Sequence, residues 1–183
     1  MRSNLAVLSS AATLLAAATA QASLSATAEI STAQTTAPYN YTITLHNTGT
    51  TDIGTFWFAW TLTPREYDFL PTSPTNVSGP AGWIAPISHN VTPGDLYGIE
   101  YYNVGGSNIA PGADGVFHFT SPDSPATLAG PAWFQGFNIT HSVVYIGFPE
   151  TDPGYNFDVT VVPAPGTLAL GAIAAAALRR RRR

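Results

Sequence analysis

Tyr39-Asn40-Tyr41-Thr42-Ile43-Thr44-Leu45-His46, with Asn47-Thr48-Gly49-Thr50-Thr51-Asp52 behind it, is the stretch that decides the fold. Tyr39, Tyr41, Ile43 and Leu45 occupy every second position, and Asn40, Thr42, Thr44 and His46 fill the gaps. Successive side chains of a strand point to opposite faces, so this pattern predicts a strand with one buried and one wet face. The Asn/Thr/Gly/Asp run that follows is turn chemistry.

The same period recurs along the chain. Phe56, Phe58, Trp60 and Leu62 alternate with Trp57, Ala59 and Thr61. Tyr155, Phe157, Val159 and Val161 alternate with Asn156, Asp158 and Thr160. Further strands are expected over 24–30, 96–102, 115–120 and 142–148. No segment of the body carries a helical period, and 15 prolines and 16 glycines in the chain interrupt long helices. The expected fold class is therefore all-β: a single antiparallel β-sandwich over residues 23–161, Ig-like or jelly-roll in arrangement.

Both ends read as targeting segments. Arg2 precedes a small and apolar stretch from Leu5 to Ala18, and Ala20-Gln21-Ala22 fits a small-x-small cleavage site. Residues 1–22 are thus expected to be a signal peptide, since the stretch is short for a membrane anchor. Residues 162–183 have three parts in order. Pro163-Ala164-Pro165-Gly166 stops the last strand, Thr167 to Leu178 is a short apolar run able to form a helix, and Arg179, Arg180, Arg181, Arg182 and Arg183 close the chain. An apolar run followed by a cationic cluster enters a membrane and stops there, with the arginines on the cytoplasmic side.

This order resembles the PEP-CTERM family of sorting tails: a Pro-x-Pro motif, a hydrophobic helix, then terminal arginines. Ala164 stands where the family has glutamate. The resemblance implies recognition and processing by an exosortase-type membrane enzyme, with delivery to the outer surface or extracellular matrix of a bacterium, often in connection with extracellular polysaccharide and biofilm. It covers the tail only. No Leu-Pro-x-Thr-Gly motif is present, and a GPI signal would end in its hydrophobic stretch. Separately, residues 39–49 are loosely similar to the opening hairpin of bacterial Ig-like surface modules.

Composition narrows the body's function. The absence of cysteine excludes disulfides, zinc–thiolate sites and thiol catalysis. There is no lysine, and Arg65 is the body's one basic residue against all eleven acids, a net of −10. Such a surface repels phosphate backbones, so no nucleic-acid partner is expected.

Candidate chemistry is sparse. His46, His89, His118 and His141 show no metal-ligand spacing, and no Gly-x-Ser-x-Gly elbow accompanies them. His118 should face solvent, opposite Phe117 and Phe119. Glu66/Asp68 and Glu150/Asp152 read as solvated loop charges. The sharper alternative for the second pair is a calcium site using Glu150, Asp152 and Asp158; otherwise no cofactor is expected. Trp57, Trp83 and Trp133 are candidates for stacking on sugar rings, against the simpler reading of core or loop-anchoring aromatics. The expected function is a non-enzymatic structural or adhesive surface protein. The alternatives are an extracellular polysaccharide-binding module and a secreted hydrolase.

Overall fold

A computed structural model describes residues 22–63, 65–89, 96–134 and 136–163. The signal-peptide expectation for residues 1–21 and the tail calls on Ala164, Pro165, Gly166 and Arg179–Arg183 lie outside the described residues.

Among the described residues two sheets, antiparallel except where the last strand joins the first, pack face to face, confirming an all-β sandwich. The first contains β1 (Ala26–Ser31) and β2 (Tyr39–Asn47). The chain then crosses to the second sheet for β3 (Thr55–Phe58), followed by the short pair β4 (Trp60–Thr61) and β5 (Tyr67–Asp68). Next come β6 (Thr75–Ser78), β7 (Trp83–Ile84), β8 (Ile87–Ser88), β9 (Gly98–Asn103) and β10 (Asp114–Ser121). After the single helical turn α1 (Pro125–Leu128), β11 (His141–Tyr145), β12 (Tyr155–Asp158) and β13 (Thr160–Val161) complete the body.

The first sheet runs β13-β1-β2-β10-β6 and the second β12-β11-β3-β9-β7, with β8 also on β9. The orders β1-β2-β10-β6 and β12-β11-β3 follow the arrangement of a constant-type immunoglobulin sandwich. One departure is that β6 precedes β9 in the chain, so the path crosses between sheets an extra time.

The predicted alternation is the packing. Tyr41, Ile43 and Leu45 of β2 are buried, as are Phe117 and Phe119 of β10, while His118 faces outward. From the other sheet, Phe56 meets Phe117 at 5.1 Å and Phe58 meets Phe119 at 5.4 Å between ring centroids. Tyr101 lies 4.7 Å from Phe117. Its hydroxyl finds the His118 carbonyl at 3.3 Å, so the deepest tyrosine keeps a polar partner.

Two devices lie outside simple alternation. Asn47, expected in a turn, is fully buried at the end of β2. Its amide donates to the carbonyls of Thr51 and Ile109, both at 2.8 Å, and its side-chain oxygen accepts from the Gly49 N–H at 3.0 Å. One side chain thereby bonds backbone groups of two loops and ties them together. The α1 turn starts because Ser124 accepts from the Thr127 N–H at 3.1 Å and Pro125 supplies a preset φ.

The strand expected through Leu62 is broken at Ala59, whose φ is +58°. A left-handed residue ends the period of two. Trp60 therefore leaves the Phe56/Phe58 face and joins Trp57, and Leu62 is 49% exposed. The expected strand 142–148 likewise ends at Tyr145.

The two faces of β10 should respond very differently to truncation. Phe117→Ala should cost about 3–5 kcal/mol. Val116→Ala, on the wet face, should stay within about 0.5 kcal/mol. Urea unfolding of the two variants measures the contrast.

Candidate functional site

The outer face of the second sheet carries the densest functional chemistry. Trp57 of β3 stands in register with Val143 of β11 on one side and Glu100 of β9 on the other. One row further along, Thr55 stands between Tyr145 and Tyr102, and Tyr102 pairs with Ile84 of β7. The phenylalanines of β3 point inward, so all these side chains share the outward face.

The bend at Ala59 adds Trp60 to this face. Its ring stacks on Trp57 with centroids 4.4 Å apart and planes 21° from parallel. Val143 and Tyr145 pack beneath as a small apolar cluster separate from the main core.

The connection 146–154 between β11 and β12 then folds over this surface. Asp152 closes it, accepting from the N–H groups of Ile146 at 2.9 Å and Gly154 at 2.8 Å. Gly154 has φ +67°, and a Cβ there would stand 2.6 Å from the Tyr145 ring, so only glycine lets the connection return this close. Thr55 donates to the Gly147 carbonyl at 2.9 Å. Phe148 lies flat on Tyr102, 3.9 Å between centroids, and remains half exposed. Glu150 reaches Trp57, whose indole N–H donates to its carboxylate at 3.0 Å.

Glu150 also meets Glu100. Burial, then a hydrogen bond to Glu150, then the Glu150 charge push the Glu100 carboxyl up to about 7. The protonated Glu100 donates to the Glu150 carboxylate, an arrangement that two ionised groups cannot form. Tyr145 is pushed up to about 12 by burial and by the negative charges of Glu150, Asp152 and Glu66. The face is thus aromatic, acidic and proton-holding.

The candidate residues read from sequence separate in space. Trp57 belongs to this face. Trp83 is not available for sugar stacking and follows the simpler reading: it is a core residue, edge-on to Phe117 at 5.4 Å, with its N–H on the Ser107 carbonyl at 3.0 Å. Trp133 is 40% exposed, edge-on to Tyr67, and donates to the Asp68 carbonyl at 3.1 Å. The three tryptophans therefore form no common platform.

Nor do Glu150, Asp152 and Asp158 form one donor set. Glu150 serves Trp57 and Glu100, Asp152 closes its loop, and Asp158 accepts from Asn138 at 2.8 Å and pairs with His141 at 3.0 Å. Among the described residues no group of three or more His, Cys, Asp or Glu is arranged to hold a metal ion. The histidines are dispersed: His46 pairs with Asp114 and His118 meets Thr42 on the first sheet, while His141 lies on the second and His89 stacks on Tyr97.

Glu100 and Trp60 are the residues that sequence reasoning missed. Alternation in Gly98-Ile99-Glu100-Tyr101-Tyr102-Asn103 signals that Glu100 and Tyr102 share a face. Nothing in the spacing links Glu100 to Glu150, because the cross-strand pairing and a long connection bring them together.

A separate apolar groove of about 350 Å³ lies where the body ends, lined by Gln34, Tyr39, Pro125, Ala129, Val161 and Pro163. Among the described residues no helix is long and apolar enough to cross a membrane.

Comparison with known proteins finds no family model, no curated protein and no solved structure that matches this chain.

Glu100 makes stability depend on pH with a definite sign. Its carboxyl titrates near 4.5 when unfolded and about 7 when folded, so the folded state holds the extra proton between these values. Stability from this group is full below about 4.5 and is lost as pH rises through about 7. Urea midpoints across this range should fall with pH in the parent protein, and Glu100→Gln should remove that part of the slope.

Proposed function

We propose that the chain is an exported, non-enzymatic surface or matrix protein, structural or adhesive, sorted through residues 162–183. The observation that carries this reading is the order Pro163-Ala164-Pro165, apolar run, Arg179–Arg183, set directly behind an edge strand. Edge strand β13 runs parallel to β1, and the Val162 N–H donates to the Ile30 carbonyl at 2.8 Å. Pro163 follows as an exposed residue that no longer has an N–H to give. A tail leaving from a sheet edge is accessible to a membrane enzyme without unfolding the body. The exosortase-type partner, bacterial surface destination and membrane engagement before processing rest on the tail's resemblance.

The geometry of the ends supports display. The start of β1 is tied to the β2–β3 connection, as Ser25 accepts from the N–H groups of Thr48 and Gly49. The parallel β13 therefore ends at the opposite pole. The 146–154 connection sits at the pole away from the tail, because Tyr145 pairs with Thr55 directly after the β2–β3 connection. A body held by its tail presents this surface outward.

Deleting Gly166 to Arg183 should abolish surface attachment and leave the folded body in the medium, measured by fractionation and intact mass of the secreted protein. Unchanged attachment and processing would exclude the sorting role.

A second reading, extracellular polysaccharide binding, is favoured by a different residue set from the three tryptophans. Phe148 lies flat and half exposed on Tyr102, beside the exposed Ile84. A flat ring of this kind suits the apolar face of a pyranose, and the body's negative charge favours neutral over anionic polymers. Phe148→Ala should reduce retardation in affinity electrophoresis against neutral polysaccharides, whereas Trp83→Phe, a core change, should not.

A further inference from the structure

Glu100 is fixed on β9, in the middle of a sheet, while Glu150 belongs to a connection with no strand pairing, held by its Asp152 closure and a few side-chain contacts to β3 and β9. Glu100 is the cross-strand neighbour of Trp57, whose indole N–H donates to Glu150 at 3.0 Å, so both carboxyls sit beside the same ring and hydrogen-bond to each other. We propose that the Glu100–Glu150 pair is a proton-operated latch that keeps the 146–154 connection down over the Trp57/Trp60 stack and releases it when the shared proton is lost.

The geometry requires the proton. Two carboxyl groups hydrogen-bond only if one is protonated; without the proton, two like charges face each other in a partly dehydrated place. The surrounding charges give no compensation. On the neighbouring Tyr145 of β11, the acting charges are Glu150 itself, Asp152 on the same connection and Glu66 ahead of β5, all negative. Arg65, the body's one arginine, is engaged elsewhere: its Nε donates to the Tyr67 hydroxyl at 3.0 Å and its guanidinium stacks over that ring.

The two halves of the latch are held in different ways. Glu100 is held by pairing of β9 with β3, β7 and β8. The connection is held by its Asp152 closure, the Thr55–Gly147 bond, the Phe148–Tyr102 stack and Glu150. Charge repulsion therefore acts on the connection. Lifting it frees the Trp57 N–H and uncovers Tyr102, so acid hides an aromatic surface and alkali presents it. The mechanism stands whether or not that surface binds polysaccharide, because its readouts are conformational.

The test follows the Trp57 indole N–H by NMR in the full-length chain from pH 5 to pH 9. A step centred near pH 7 is expected, with loss of amide-exchange protection at Ile146 and Gly154. Corrected for intrinsic exchange, protection should fall by up to about tenfold per pH unit as pH rises toward about 7 and level off above it. Glu100→Gln keeps a donor toward Glu150 at every pH, so the step should vanish with the connection still closed. Glu150→Gln should also remove the step. A parent protein with no step at Trp57, or a step that persists in both variants, overturns the latch.

Discussion

The aromatic seam between the sheets is the constraint on which the rest depends. Phe56 and Phe58 from β3 meet Phe117 and Phe119 from β10, and Tyr101 joins them from β9. The domain has no disulfide, so burial of these rings must offset the entropy of ordering many short strands and long connections. The seam also fixes register. Sliding β3 by one residue would turn Phe56 and Phe58 out and bring Trp57 in. The outer face exists in its present form because the inner face admits no alternative.

One backbone angle then decides how that outer face is populated. The left-handed conformation at Ala59 ends β3 and moves Trp60 to the side of Trp57. Left-handed geometry costs a non-glycine residue about 1–2 kcal/mol, and here the buried indole stack, over Val143 and Tyr145, offsets it. A surface that alternation alone would leave with one tryptophan acquires two, along with a reason for the 146–154 connection to settle on it.

The sheet strands were legible in sequence wherever one face is buried and the other wet. β1, β2 and β10 show clean alternation, and the structure follows it residue by residue. The four-residue β6 and the two-residue strands β5, β7 and β8 were not legible, since so few positions carry no period; long-range pairing makes them strands. Asn47 looked like turn punctuation because its type is common in turns; its burial depends on two loops meeting at one point. The site was legible only in part. Trp57 and Glu150 drew attention by residue type, but for different roles. Their partnership with Glu100 joins β3, β9 and a connection far along the chain, and such a juxtaposition leaves no mark in local spacing. Trp83 misled for the converse reason: glycine and proline around it suggested an exposed loop, while the ring turned inward onto Phe117.

The parallel pairing of the final strand with the first has a mechanical meaning. Traction on the C-terminal end pulls along β13, whose hydrogen bonds to β1 lie across that line. They are loaded together in shear, instead of being peeled one after another as a strand pulled sideways from an edge would be. β1 passes the load into its six-residue ladder with β2, and β2 into its eight-residue ladder with β10. A module exposed to flow or to tugging neighbours would thus spread tension through its first sheet, leaving the second, with its proton-holding face, out of the line of force.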